Sequence, residues 1–124
     1  MTGKTSFQTI LDTLLDESRK FPRKYLQFFS DMDPASLTSF MDVWPRLTRP
    51  RQLLLLNELE SLTVSDTLAS FEDLARALIN DPDAEVRVHA IHLMQFAEDS
   101  RAANIYTNIL KNDPDPMVRA EAAS

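Results

Sequence analysis

The feature that most constrains how this chain folds is an eight-residue segment that occurs twice, 32 residues apart. The first copy, residues 80–87, reads Asn-Asp-Pro-Asp-Ala-Glu-Val-Arg, and the second, residues 112–119, reads Asn-Asp-Pro-Asp-Pro-Met-Val-Arg. Recurrence at a fixed spacing of this size is typical of repeat proteins, in which each unit buries its apolar face against the next. We therefore predict a structure built from stacked repeats.

The polar residues of this segment are of the types that end one helix and begin the next. Asparagine is the second choice after glycine for the left-handed residue that follows a helix, so Asn80 and Asn112 are predicted to adopt that conformation. Asp83 and Asp115 are well placed to accept hydrogen bonds from the free N–H groups of the following helix. The segment is therefore predicted to be a turn between two helices.

Apolar periodicity predicts helices along the rest of the chain, so the expected fold class is all-α. Apolar residues recur at intervals of three and four, and proline or a capping residue stands at several predicted helix starts. Four consecutive leucines, residues 53–56, predict a helix that is apolar all round and packed between neighbours. The pattern gives about eight helices, at about residues 6–20, 22–30, 34–44, 50–62, 68–79, 84–97, 100–111 and 116–124.

The turn Asp-Pro-Asp-x-x-Val-Arg, followed by a helix rich in small residues, another helix and the same turn again, resembles the HEAT-repeat family. The likeness is to the HEAT-like repeats of phycobilisome-lyase type, and it covers residues 66–124. It implies a right-handed α-solenoid of antiparallel helix pairs, the last of them truncated. The resulting division is N-terminal capping helices at 1–30, a degenerate repeat at 31–65, one repeat at 66–97 and a truncated repeat at 98–124.

The resemblance also implies roles for the turn residues. In the family a turn aspartate and the next arginine bond within and between repeats, which corresponds to Asp81 with Arg87 and to Asp113 with Arg119. Replacing Arg87 with alanine is therefore expected to lower the free energy of unfolding by ~1 to 3 kcal/mol, the range for a lost charge-assisted hydrogen bond.

The second repeat stops within the helix that begins at Pro116. An end repeat without a polar outer face lacks a neighbour for its apolar side chains, here Val118, Ala120 and Ala123. We therefore expect the sequence to be an N-terminal fragment, with further repeats of the same protein beyond Ser124.

Composition excludes several classes of protein. The 124 residues include no cysteine and only one glycine, so disulfides, thiolate metal sites and glycine-rich phosphate loops are not expected. No apolar run approaches the ~20 residues that span a bilayer, and the N-terminus has no secretory signal pattern, so we expect a cytoplasmic protein without a membrane segment.

Charge is divided unevenly between the two halves of the chain. Residues 1–52 contain eight Lys and Arg against six Asp and Glu, a net charge of +2, whereas residues 53–124 contain five against thirteen, a net charge of −8. Nucleic-acid binding requires a basic contact face, so only the N-terminal half could supply one.

Two groups of residues are candidates for chemistry. Glu85, His89 and His92 share one helix face, a spacing that can ligate zinc, but the sequence shows no fourth ligand. The turn aspartates have neither the spacing nor the glycine of a calcium loop, and capping already explains them. We therefore predict no catalytic residue, no metal site and no cofactor.

The N-terminal basic residues stand among aromatic residues, a combination that can hold phosphates and bases. A solvated basic face beside an aromatic core is the favoured interpretation. The basic residues are Arg19, Lys20, Arg23, Lys24, Arg46, Arg49 and Arg51.

The sequence therefore favours a non-enzymatic scaffold that binds another protein along the surface formed by successive second helices. Candidate contacts on that surface, by analogy with the family, are Val88, His92 and Gln95. The candidates from the basic group are Arg46, Arg49 and Arg51. Two alternatives stay open: a phycobilin lyase or chromophore chaperone, implied by the repeat type alone, and a nucleic-acid-binding HEAT-like domain, which the acidic C-terminal half disfavours.

Overall fold

The computed structural model describes residues 6–66, 68–95, 108 and 111–123. Their secondary structure is helical, without a strand, which confirms the all-α prediction for this part of the chain. The predicted helix at 100–111 lies almost entirely outside the described residues. The elements are α1 (Phe7–Leu15), a 3₁₀ helix (Arg23–Phe29), α2 (Pro34–Val43), a short 3₁₀ turn (Trp44–Arg46), α3 (Arg49–Ser65), α4 (Glu72–Leu78), α5 (Ala84–Gln95) and α6 (Pro116–Ala123).

Membrane crossing requires a long helix of apolar residues, about 20 in number. None of the described helices combines that length with an apolar composition.

Helix α1 is shorter than its periodicity predicts. Its start is as expected, because the Ser6 hydroxyl oxygen accepts a hydrogen bond from the N–H of Thr9 at 3.2 Å. The helix ends at Leu15 rather than near residue 20, and Asp16 leaves the helical conformation. The carbonyl groups at this end are held by a side chain from α3, Arg51, which local periodicity cannot reveal.

Helix α5 occupies the centre of the described structure. It packs against α3, α4 and α6, and α2 packs against α4. Five apolar side chains of α5 are almost completely buried: Val86, Ala90, Ile91, Leu93 and Met94. Burial on several sides fixes the orientation of α5, and therefore the positions of the polar side chains that it carries.

The leucine run of α3 is only partly buried. Leu55, Leu56 and Leu59 lie in the core, but Leu54 is 46% exposed. The prediction of a helix buried on all sides is therefore wrong at Leu54, because that face of α3 borders an open pocket.

Both copies of the repeated turn have the same internal hydrogen bonds. In each, Oδ1 of the first aspartate, Asp81 or Asp113, accepts from the N–H of the second at 2.9 Å. The second aspartate, Asp83 or Asp115, accepts from the N–H two residues further on, at 2.9 and 2.8 Å respectively. These contacts confirm the predicted capping of α5 and α6.

The predicted left-handed asparagines are not observed. Among the described residues other than glycine, positive φ is found at Asp31, with φ 50°, and not at Asn80 or Asn112. Helix α4 ends through Ile79 with φ −66° and ψ −17°, and the N–H of Asp81 then donates to the carbonyl of Leu78 at 3.1 Å. Because this right-handed turn already satisfies the helix end, no left-handed residue is required.

Arg87 joins the two copies of the turn. Its guanidinium donates to both carboxylate oxygens of Asp113, at 2.7 and 3.0 Å, and to the carbonyl of Asp81 at 2.7 Å. Arg119 makes the same local bond, to the carbonyl of Asp113 at 2.8 Å. The carboxylate of Asp81 accepts instead from the indole N–H of Trp44 at 2.7 Å, so an aromatic donor takes the place of arginine at the preceding junction.

This link is expected to make stability depend on pH. Burial raises the pKa of Asp113, but hydrogen bonds from Arg87 and the Asp115 N–H, with the charges of Arg87 and Arg119, outweigh that effect and hold the pKa below its ordinary value. The folded state then binds fewer protons than the unfolded state, so the stabilisation is complete above the ordinary carboxyl pKa and is lost as the pH falls through the lowered one.

We expect the free energy of unfolding to fall as the pH is lowered from about 5 to about 2. In the Asp113→Asn variant this free energy should fall less steeply over the same interval. Urea unfolding at a series of pH values measures both slopes. Arg87→Ala should flatten the slope as well, because it removes a main cause of the lowered pKa. Equal slopes in the parent and in Asp113→Asn would contradict the conclusion that the Asp113 carboxylate stabilises the folded state.

Helix α6 is packed and does not lack a neighbour. Val118 is completely buried and Ala122 nearly so, and α6 lies against α5. The expectation that Val118 is short of partners is therefore wrong, because α5 presents an apolar face on this side.

Candidate functional site

The three arginines predicted to contact a partner have different environments. Arg46 is exposed. Arg49 pairs with Asp83 at 2.6 Å and with Glu85 at 2.9 Å, and so ties the start of α3 to the start of α5. The hydrogen bond from Arg49 lowers the pKa of the Asp83 carboxyl.

Arg51 is buried, with 7% of its surface exposed. Its guanidinium donates to four backbone carbonyls at the end of α1 and in the segment that follows, at 2.9 to 3.2 Å. These carbonyls belong to Thr13, Leu14, Asp16 and Arg19. The guanidinium donors of Arg51 are thus engaged within the chain, which gives the residue a structural role, and its role as a partner contact stays a prediction.

An open pocket lies between α1, the 3₁₀ helix and α3. Its cavity volume is about 210 Å³ and its surface is mainly apolar. Leu14, Phe21, Leu26 and Leu54 supply apolar walls, and the Arg51 guanidinium lies 5.7 Å from the centre of the Phe21 ring. The pocket is large enough for one apolar side chain of a partner.

The polar residues that line this pocket include exposed cations and the carboxylate of Glu58. Lys20 and Arg23 line it, and both are exposed. Arg23 also pairs with Glu58, at 2.8 Å, in an ion pair that is exposed on both sides and therefore weak. A carboxylate from a partner could pair with Lys20, which is exposed, and would compete with Glu58 for Arg23.

A second polar group lies between α3, α5 and α6. Glu60 of α3 faces two imidazoles of α5: its Oε2 lies 2.6 Å from Nδ1 of His89, and its Oε1 lies 2.5 Å from Nδ1 of His92. Nε2 of His92 lies 3.0 Å from Oε2 of Glu121 on α6. The side chains are 15% exposed at His89, 19% at Glu60, 33% at His92 and 39% at Glu121, so the group is open on one side.

The neighbouring carboxylates favour the protonated form of His92. Burial lowers its pKa, but the contacts and charges of Glu121 and Glu60 outweigh that effect and raise the pKa above its ordinary value. Nδ1 of His92 faces Glu60 and Nε2 faces Glu121, so this side chain of α5 connects α3 with α6.

The glutamate that contacts both histidines is Glu60 of α3 and not Glu85, which shares their helix face in the sequence. Glu85 is on the same helix, but it pairs with Arg49. Glu60 and Glu121 were missed because they are distant in sequence. The repeat spacing could have indicated them. Glu60 lies 32 residues before His92, and Glu121 lies 32 residues after His89, which is the spacing of the two turns.

The other residues predicted on this surface differ in accessibility. Val88 is partly buried against the core. Gln95 is the last residue of α5, and its side chain lies outside the described part of the structure. His92 is thus the member of the predicted set that the structure brings together with other polar groups.

Comparisons with known protein families, with curated proteins and with solved structures find no match to this chain.

Proposed function

We propose that this protein is a non-enzymatic scaffold of HEAT-like helix pairs that binds an extended segment of another protein. The neighbour relations of the helices support this arrangement. Helix α5 lies against α3 and α6, and α2 lies against α4, which is the order expected when first helices stack on first helices and second helices on second. Such an array is a right-handed solenoid, and extended binding surfaces are the usual function of solenoids.

The pocket between α1, the 3₁₀ helix and α3 is the observation that carries this proposal. It combines an apolar cavity with the exposed cations Lys20 and Arg23, and Leu54 is left 46% exposed beside it. These features favour, as occupant, a peptide segment that places one apolar side chain in the cavity and an Asp or Glu beside the rim cations.

A protein partner fits this site better than a nucleic acid. Arg49 and Arg51 are engaged with groups of the chain itself, which removes them from a phosphate-binding surface. Continuous backbone recognition needs several cations along one face, and the pocket offers two at its rim.

A displayed peptide library tests the proposal. We expect selection on the purified protein to enrich peptides that carry an apolar residue next to Asp or Glu. Leu54→Asp, or Lys20→Glu combined with Arg23→Glu, should weaken binding of an enriched peptide by about tenfold or more, because each change removes one half of the recognition.

The matched control is Lys111→Glu, which reverses an exposed cation that does not line the pocket and should leave peptide affinity unchanged. Far-UV circular dichroism verifies that each variant is folded. The proposal would be overturned if such peptides were not enriched or if the pocket variants bound them as well as the parent does. It would also be overturned if the protein bound a labelled oligonucleotide at low salt in place of peptides.

A further inference from the structure

We propose that Glu60, His89 and His92 form a binding site for a divalent transition-metal ion, with Zn²⁺ as the best fit. Their candidate ligand atoms all lie within 4.8 Å of one another. The site lies between α3 and α5, and the inference does not depend on the proposed scaffold function.

The donor set determines the class of ion. Two imidazoles and one carboxylate suit zinc and its neighbours in the first transition row, whereas calcium and magnesium prefer a shell of oxygen atoms. With both imidazoles neutral, the three ligands carry a charge of −1 against the +2 of the ion. The acidic C-terminal half, with its net charge of −8 over residues 53–124, adds a favourable surrounding potential.

The geometry requires only a small rearrangement. Around a tetrahedral zinc ion, with bonds of about 2.0 to 2.2 Å, ligand atoms are separated by about 3.3 Å. The two Nδ1 atoms now converge on the carboxylate of Glu60 at 2.6 and 2.5 Å. For an ion to bind between them, the carboxylate oxygens must move away from the Nδ1 atoms by the difference, about 0.7 to 0.8 Å, while α3 and α5 keep their positions.

The helices hold these side chains in place. His89 and His92 are three residues apart on α5, so they lie on one helix face. Their neighbours Ala90 and Ile91 are buried, as is Leu59 beside Glu60. The backbone of both helices is thus fixed by the core, which reduces the entropy that the ligands lose on binding.

Glu121 completes the site as a positioning residue. It contacts Nε2 of His92 at 3.0 Å, while Nδ1 of the same ring faces Glu60. Metal-bound histidines commonly donate their second ring N–H to a carboxylate, which fixes the tautomer and raises the basicity of the ligand atom. The partial exposure of His92 leaves room for water as the fourth ligand.

Zinc titration of the chain without a polyhistidine tag, after removal of metal by a chelator, tests the site. We expect binding of one ion per chain by calorimetry and a change in the Nδ1 chemical shifts of both histidines by NMR. Bound Co²⁺ should show the strong visible absorption of a four-coordinate ion. Glu121→Gln should weaken zinc binding by about 10- to 100-fold, and His89→Asn, His92→Asn or Glu60→Gln should weaken it further.

The matched control is Glu85→Gln, which removes the glutamate nearest in sequence to the histidines and should leave zinc affinity unchanged. Zinc should raise the Tm of the parent and of Glu85→Gln, and should not raise that of His92→Asn. If a variant unfolds, the calorimetric and NMR results of the parent protein still test the site. The proposal would be overturned if zinc did not bind, or if it bound without a change at the histidine nitrogens. It would also be overturned if folded Glu60→Gln or His92→Asn bound zinc with the affinity of the parent.

Discussion

Replacing Arg51 with alanine is expected to lower the free energy of unfolding by about 3 kcal/mol or more. The guanidinium donates to four backbone carbonyls that follow or end α1, at 2.9 to 3.2 Å, and these acceptors lose their donor together. Hydrogen bonds to a charged group each contribute about 1.5 to 3 kcal/mol, and the contributions of neighbouring bonds overlap. The contact of the guanidinium with the Phe21 ring is lost as well.

Urea unfolding followed by far-UV circular dichroism measures this change. The slope of free energy against urea should stay the same, since the unfolded surface is unchanged. Arg51→Lys should be intermediate, because an ammonium keeps the charge but cannot reach four carbonyls with three donors. Arg46→Ala, at an exposed arginine, is the control, and an Arg51→Ala cost no larger than that of Arg46→Ala would contradict the capping role.

Arg87→Ala is expected to lower the free energy of unfolding by about 3 kcal/mol, at the upper end of the range predicted from sequence. The side chains of Arg87 and Asp113 are 12% and 6% exposed, so the substitution leaves a nearly buried carboxylate without its partner. It also removes the bond to the Asp81 carbonyl at 2.7 Å. Both copies of the turn should lose hydrogen bonds, because Arg87 connects them.

The repeat supplies a matched control for this substitution. Arg119 occupies the same position in the second copy and bonds to the carbonyls of Asp113 and Pro114, but it is exposed and acts on the Asp113 carboxylate through its charge, without a hydrogen bond to it. Arg119→Ala should therefore cost less than about 1 kcal/mol. A double-mutant cycle between Arg87→Ala and Asp113→Ala should show a coupling of about 2 kcal/mol. Equal costs at Arg87 and Arg119, or no coupling, would contradict the link between turns.

The turn was predictable because its hydrogen bonds are local. Asp83 and Asp115 accept from N–H groups two residues away, so residue type and spacing were sufficient to predict them. The left-handed asparagines were predicted from the same kind of rule, and that prediction was wrong at both Asn80 and Asn112. A right-handed turn and a left-handed one can each end a helix, and the choice depends on where the next element packs.

Arginine roles could not be read from sequence. Arg46, Arg49 and Arg51 have similar neighbours in the chain, yet one is exposed, one pairs with α5 and one is buried against α1. Arg46 lies in the 3₁₀ turn before α3, whereas the environments of Arg49 and Arg51 depend on which sides of α3 face other helices, a property of the packed structure. The pocket beside Leu54 was hidden for the same reason.

The sequence by itself determined the all-α class and the hydrogen bonds inside each turn, because helix periodicity and capping depend on residues within one or two turns of the chain. Only the tertiary structure decided which groups meet across helices. Arg87 reaches Asp113, and His89 and His92 meet Glu60 rather than the nearer Glu85. Those contacts depend on how α3, α5 and α6 bury their apolar faces, which brings residues about 30 positions apart within hydrogen-bonding distance.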